Sequence, residues 1–120
     1  MASLVEELLV GMKKEDACYT RLLELSENKR QAIIAGAVAD LEEVTATEES
    51  ISSDLKNLEN KRASILRDMA VVLGHDGEQL TVTSVIEQLD GQPKEQGDLT
   101  AARDALVDVA TRLQTANAQN

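Results

Sequence analysis

The sequence predicts an all-α protein: a long antiparallel helical hairpin with coiled-coil-like packing, then a short helix and a C-terminal amphipathic helix. Apolar residues recur every three or four positions along most of the chain, as they do in amphipathic helices. One Pro and six Gly leave long stretches free to be helical. The chain has no Phe, no Trp and one Tyr, so its core is aliphatic and suits a thin seam between helices. Its 120 residues have room for one domain.

The first predicted helix spans residues 3–35 and carries one apolar stripe with charged residues on the other face. Gly36 follows it, and Gly is the residue favoured just past a helix C-terminus. Folding back at Gly36 would bury the stripes of two consecutive helices, whereas one continuous helix would leave both exposed. A hairpin is therefore predicted. The first stripe comprises Val5, Leu8, Met12, Tyr19, Leu22, Leu25 or Ser26, and Ile33.

The second predicted helix spans residues 37–73 and carries a heptad repeat, the pattern of coiled-coil packing. Eight of its ten seam positions are apolar. The exceptions, Glu48 and Arg62, either face partners on the first helix or mark where the seam meets solvent. The two heptad registers are Leu41, Glu48, Leu55, Arg62, Met69 and Val44, Ile51, Leu58, Ile65, Val72.

The segment Gly-His-Asp-Gly at 74–77 has the composition of a turn. A short helix is predicted over residues 81–90, with Ser84 and Glu87 at the spacing of a capping box. The β-branched residues of this segment also favour a strand, but a single strand would have no partner to pair with. Its apolar side is formed by Val82, Val85, Ile86 and Leu89.

Residues 90–97 read DGQPKEQG, a composition that predicts a flexible linker over residues 91–97. The C-terminal helix is then predicted over residues 98–119, with Asp98 as its cap. Its apolar stripe is lighter than the others because Ala occupies two of its six positions. The stripe comprises Leu99, Ala102, Leu106, Val109, Leu113 and Ala116.

The balance of charge limits the classes of partner. The formal net charge is −10, from 22 acidic and 12 basic residues, which would repel nucleic acid and anionic lipid. The acidic pairs Glu42-Glu43 and Glu48-Glu49 are typical of solvated helix faces, or alternatively of a docking surface for a basic partner. The N-terminal segment contains acidic residues where a signal peptide has basic ones. No apolar run approaches the length of a membrane-spanning helix. We expect a cytoplasmic protein that neither binds nucleic acid nor inserts into a membrane.

Few residues could carry catalytic or metal chemistry. The only histidine, His75, adjoins Asp76 but has no nucleophile motif nearby, which is typical of a solvated loop residue. The only cysteine, Cys18, fits a reducing compartment, and its acidic neighbours are typical of an unreactive, half-buried thiol. One His and one Cys cannot form a tetrahedral zinc site. We expect no enzymatic activity, no metal and no cofactor.

A family resemblance is carried by residues 27–66, which read ENKRQAIIAGAVADLEEVTATEESISSDLKNLENKRASIL. Within them lie Lys29-Arg30, Ile33 or Ile34, Gly36, Leu41, Glu48-Glu49, Leu55, Leu58-Glu59 and Arg62. This pattern resembles the FlgN family, the flagellar export chaperones for hook-associated (hook–filament junction) proteins. The segment LTVTSVIEQL (80–89) resembles the short Leu-Thr-x-Ser-x-x-Ile helix of that family, and LQTANAQN (113–120) resembles its Leu-x-x-x-Asn-x-x-Asn ending. The family usually has Asp directly after the turn glycine, where this chain has Ala37 and where Asp40 is the nearest acid.

The resemblance implies a cytoplasmic, non-enzymatic chaperone for the aggregation-prone helical ends of hook-associated proteins. Such a chaperone keeps them soluble and delivers them to the flagellar type III export apparatus. In the family the C-terminal amphipathic helix grips the substrate. The partner-binding residues implied here are Leu99, Ala102, Leu106, Val109, Leu113, Ala116 and Asn117.

Two alternatives remain open from the residues. The C-terminal helix has a weakly hydrophobic stripe and follows a predicted linker, so it could leave the hairpin and pack on a partner instead. It could equally be a third helix that is packed permanently on the hairpin. The alternative function is a self-associating structural coiled coil, whose seam would be satisfied in a homodimer.

Overall fold

The computed structural model describes residues 1–119, which form four helices: α1 (Ala2–Ala35), α2 (Val38–Val72), α3 (Val82–Glu87) and α4 (Pro93–Gln119). The predicted all-α fold is confirmed, and residues 1–119 contain no strand. α1 is the central helix, because α2 and α4 both pack along it while making few contacts with each other. α3 packs on α4. The molecule is elongated, 56 × 22 × 20 Å.

The hairpin turn forms at Gly36, as predicted. Gly36 has φ 66° and ψ 25°, a left-handed conformation that costs glycine little because it has no Cβ. The Gly36 amide donates to the Ile33 carbonyl at 3.2 Å, and the Ala37 amide donates to the Ala32 carbonyl at 2.9 Å. These two bonds are the Schellman motif, which satisfies the last carbonyls of α1 and fixes the direction of the chain into α2.

The main hydrophobic core lies at the end of the hairpin away from the turn. There the start of α1 and the end of α2 meet α3 and the start of α4, so all four helices contribute to it. The core comprises Val5, Leu8, Met12, Ile65, Met69, Val82, Val85, Ile86, Leu89 and Leu99.

The predicted linker over 91–97 is wrong, and so is the start of the last helix at residue 98. α4 begins at Pro93, because proline lacks the amide hydrogen that the first helical position leaves unsatisfied anyway. Asp98 is therefore inside the helix, where its carboxylate accepts a hydrogen bond from Lys94 Nζ at 3.0 Å instead of capping.

The short helix also starts differently from the prediction. The capping box is formed by Thr81 and Ser84, not by Ser84 and Glu87. The Ser84 amide donates to Thr81 Oγ1 at 3.1 Å, and the Thr81 amide donates to Ser84 Oγ at 2.8 Å. Since Thr81 is the cap, α3 begins at Val82. It ends at Glu87, so it covers residues 82–87 rather than the predicted 81–90.

The predicted stripes hold along most of the hairpin and fail at the C-terminal end of each helix. Ile33 is 51% exposed and Ala32 is buried in its place, while Val72 is 58% exposed beside the buried Met69 and Ala70. A straight helix drifts by about 20° per heptad from a strict seven-residue repeat, so a register extended over the four heptads from Val44 to Val72 leaves the seam.

Candidate partner-binding site

The predicted partner-binding stripe of α4 faces α1 in this structure. Leu99 is fully buried in the main core, and Ala102 and Leu106 pack against that core. Val109 is buried further along. Leu113 and Ala116 are half-buried, and Asn117 is exposed. α4 is thus packed on α1 in the free chain, a state that is compatible with both alternatives for this helix.

The two halves of α4 are held unequally. Polar contacts with other parts of the chain lie at its N-terminal end, where Gln96 Nε2 donates to the Ile86 carbonyl at 2.9 Å. About two helical turns later, Arg103 Nη1 donates to Thr83 Oγ1 at 3.3 Å. Beyond Val109 the stripe consists of one Leu and one Ala, neither of them fully buried. The N-terminal half is therefore anchored in the core, and the C-terminal half rests on α1 through light apolar contacts.

Two cavities lie between α2 and α4 beside α1. One, of about 700 Å³, is also walled by residues 76–83 and reaches α1 at Met12, and the other, of about 570 Å³, reaches α1 at Tyr19 and Leu22. Met12, Tyr19 and Leu22 lie on one face of α1 and span about 15 Å, and we call the two cavities on this face together the furrow. Leu113 and Asn117 form the α4 wall of the second cavity, opposite Leu55 and others on α2. The furrow thus exposes apolar surface beside the gripping residues that the sequence predicts.

The rim of the furrow is charged. Glu48 and Glu49 lie on the α2 wall of the cavity next to Leu113. At the other cavity, Arg67 and Arg103 line the walls together with Asp68 and Glu78. An apolar floor with a mixed, partly acidic rim suits an amphipathic helix more than a small ionic ligand.

The comparison with protein families decides the identity of this fold. The family described as FlgN protein matches residues 1–120, the whole chain. The chain belongs to the FlgN family. No curated protein and no solved structure matches it in the corresponding comparisons.

Membership of the FlgN family indicates a flagellar export chaperone, and it confirms the resemblance found in the sequence. The last residue of the Asn-rich ending that contributed to this resemblance, Asn120, lies outside the described residues. Ala37, the N-cap of α2, makes no side-chain hydrogen bond to the helix, which is the consequence of the departure from the family pattern at this position.

The residues considered for chemistry have ordinary structural roles. His75 Nδ1 lies 2.9 Å from Glu78 Oε2 at the surface. The Cys18 thiol is half-buried, and burial, with Asp54 and Glu15 adding to it, raises its pKa, which disfavours the reactive thiolate. Across residues 1–119 no group of three or more His, Cys, Asp or Glu side chains is placed to hold a metal ion. Within the same range, none of the helices combines the length and the apolar character needed to cross a bilayer.

Glu48 and Arg62 interrupt the heptads because both pair with α1. Lys29 Nζ lies 3.3 Å from Glu48 Oε1, and Arg62 Nε lies 3.1 Å from Glu15 Oε1. Glu15 is 1% exposed, and sequence reasoning missed its burial. The signal was present, since Glu15 lies between Met12 and Tyr19, where the apolar stripe of α1 skips one step.

The pair at Glu15 is electrostatically incomplete. Glu15 Oε1 lies close to the positively charged Arg62 but accepts no hydrogen bond of acceptable geometry. Burial raises the pKa of Glu15, Arg62 lowers it and Glu59 raises it, with a net upward shift. The same surroundings, burial first, raise the pKa of Tyr19. The interface between α1 and α2 therefore contains a buried polar weak point at Glu15.

Proposed function

We propose that this chain is a cytoplasmic flagellar type III export chaperone. Its cargo is the C-terminal helical region of hook-associated proteins, which it keeps soluble and delivers to the export apparatus. The observation that carries this proposal is the match of the whole chain to the FlgN family. The open apolar furrow between α2 and α4 supports it, because an amphipathic cargo helix could bury its stripe there.

The C-terminal half of α4 is the gripping element in this proposal. Leu113 and Ala116 leave α1 and pack on the cargo helix, while Leu99 and Gln96 hold the start of α4 in place. The exchange costs little, since the contacts given up by this half are light and are replaced by similar contacts with cargo. The furrow floor at Tyr19 and Leu22, uncovered by the same movement, adds apolar surface for the cargo.

The decisive experiment measures the affinity of the purified chain for the purified C-terminal region of each hook-associated protein by calorimetry. The test variant is Leu113→Asp with Ala116→Asp. Two carboxylates in the gripping stripe should abolish binding, because they could not be buried unpaired against an apolar helix. The matched control is Gln114→Asp with Ala118→Asp, which adds the same charge on the exposed face of α4.

The control should bind as the wild type does, and both variants should keep the helical circular dichroism of the hairpin. Wild-type affinity in the Leu113/Ala116 variant would show that α4 is not the gripping element. A stable dimer in sedimentation that ignores all added cargo would instead favour the alternative, a self-associating structural protein.

A further inference from the structure

The turn of the hairpin carries a compact apolar surface of its own. Ile33, Ile34 and Val38 are 51%, 74% and 66% exposed, and all three lie within six residues of chain around Gly36. The residues between and beside them are Ala and Gly, so the large side chains protrude from a slim tip. We call this surface, residues 33–39, the hairpin tip. Several large apolar side chains exposed close together in the chain make the tip a candidate interaction site.

α4 does not extend to the hairpin tip. The end of α4 lies beside Leu22 of α1 and Ser52 of α2, where Asn117 lines the second cavity. From Leu22 to Ile33 is eleven residues, about 16 Å along a helix. The tip is therefore separate from the furrow and from the gripping stripe, and a chaperone holding cargo on α4 would still present it.

The backbone of the hairpin tip is ordered by its own hydrogen bonds. The two Schellman bonds fix Gly36 and Ala37, and both flanking segments are regular helix. A partner would not have to order a loop in order to bind, so little of the binding energy is lost to conformational entropy.

The charges beside the hairpin tip are predominantly acidic. Asp40, Glu42 and Glu43 are exposed at the start of α2, and within residues 1–119 no ion pair involves their carboxylates. The nearby cations are already paired, Lys29 with Glu48 at 3.3 Å and Arg30 with Glu27 at 3.5 Å. An apolar tip with an acidic border is complementary to an apolar pocket with a basic rim.

We infer that the hairpin tip is a second docking surface, which inserts Ile33, Ile34 and Val38 into an apolar pocket rimmed by Lys or Arg on a protein of the export machinery. Placing the partner in the export machinery rests on the proposed function. The chemistry of the pocket is inferred from the apolar and acidic residues of the tip alone. A second copy of the tip and an anionic membrane are disfavoured occupants, because each would bring negative charge against Asp40, Glu42 and Glu43.

The test places an environment-sensitive fluorophore on the tip of the full-length chain, through Ile34→Cys in a Cys18→Ser background. The labelled chain is titrated separately with each purified soluble protein or domain of the flagellar export apparatus. It is also titrated with vesicles of phosphatidylglycerol and phosphatidylethanolamine, and with excess unlabelled chain. One export protein should give a saturable blue shift, and its affinity should fall as salt is raised.

Affinity for that protein is then measured by calorimetry with unlabelled variants. Ile33→Ser with Val38→Ser should weaken it by at least about tenfold, since two large apolar side chains lose their burial. Val10→Ser is the matched control, because Val10 is similarly exposed at 53% but lies near the other end of α1. The control should bind as the wild type does.

The absence of a saturable blue shift with every export protein would overturn the inference, whether or not vesicles or unlabelled chain give one. Equal affinity of the tip variant and the Val10→Ser control would overturn it as well. Cargo binding separates this failure from failure of the proposed function: the tip variant should bind hook-associated cargo normally, and the Leu113/Ala116 variant should keep the blue shift.

Discussion

Arg62 on α2 reaches across the hairpin to Glu15 on α1, with 3.1 Å between Arg62 Nε and Glu15 Oε1. The two partners differ in exposure: the Glu15 side chain is 1% exposed and that of Arg62 is 33% exposed. The carboxylate thus loses most of its hydration while the guanidinium keeps part of its own. Glu15 therefore depends on Arg62 more than Arg62 depends on Glu15, and removing either partner should have different consequences.

Arg62→Met should destabilise the chain by about 2 kcal/mol. Losing one partner of a fully buried pair costs about 3–5 kcal/mol, and the partial exposure of Arg62 reduces that figure. The measurement is the free energy of unfolding in urea. Arg67→Met is the control: Arg67 is exposed on the same helix and its replacement should change stability by less than about 0.5 kcal/mol.

Glu15→Met should be neutral or stabilising by about 1 kcal/mol, because it continues the apolar stripe of α1 and removes a buried carboxylate. In the Glu15→Met background, Arg62→Met should cost much less than it does in the wild type. If Arg62→Met costs the same in the wild type and in the Glu15→Met background, the Glu15–Arg62 contact does not contribute to stability.

The pH dependence of stability should reveal the raised pKa of Glu15. The folded state holds the Glu15 proton more tightly than the unfolded state, whose pKa is near 4.5, so ionised Glu15 reduces stability at neutral pH. Glu15→Gln should therefore be more stable than wild type at pH 7. This margin should shrink as the pH falls through the raised pKa of Glu15 and be gone near 4.5. A margin that is constant between pH 7 and 4.5 would contradict the raised pKa.

Most of the fold could be predicted from the periodicity of the sequence, because the hairpin depends on repeated local patterns. Gly36 was predictable as the turn since its conformation favours glycine and two helices of similar length flank it. The start of α4 was missed because the composition of 91–97 resembles a loop, although Pro93 is a local signal for the first position of a helix. The hydrogen bond from Gln96 to the Ile86 carbonyl, which ties this turn to α3, was not evident from composition.

The candidate site could be predicted only in part. The residues of the α4 stripe are evident from their spacing, but spacing does not show which of them are anchored in the core. Leu99 and Leu113 occupy equivalent stripe positions, yet one is fully buried among four helices and the other lines a furrow. The furrow itself arises because α2 and α4 both pack on α1 while making few contacts with each other, which is a property of tertiary packing and leaves no local signal.

Ala37→Ser should stabilise the chain by about 1 kcal/mol. Ala37 is the N-cap of α2 and offers no side-chain cap, whereas a serine hydroxyl there could accept a hydrogen bond from one of the first free amides of the helix. The measurement is the shift of the urea midpoint at constant slope. Ala39→Ser, inside the first turn, is the control and should not stabilise. An equal gain from both variants would mean that capping is not the cause.

The two halves of α4 should differ in local stability. Leu99→Ala should cost about 2–5 kcal/mol of global stability because it opens a cavity in the main core. Leu113→Ala should cost less than about 1 kcal/mol, since that side chain is only half-buried and can be solvated.

In hydrogen exchange of the free chain, amides of residues 109–118 should exchange faster than those of residues 97–106, which are protected as part of the core. Added cargo should then slow the exchange of 109–118 most. Uniform protection along α4, unchanged by cargo, would mean that the helix is a permanent third member of the bundle and does not exchange partners.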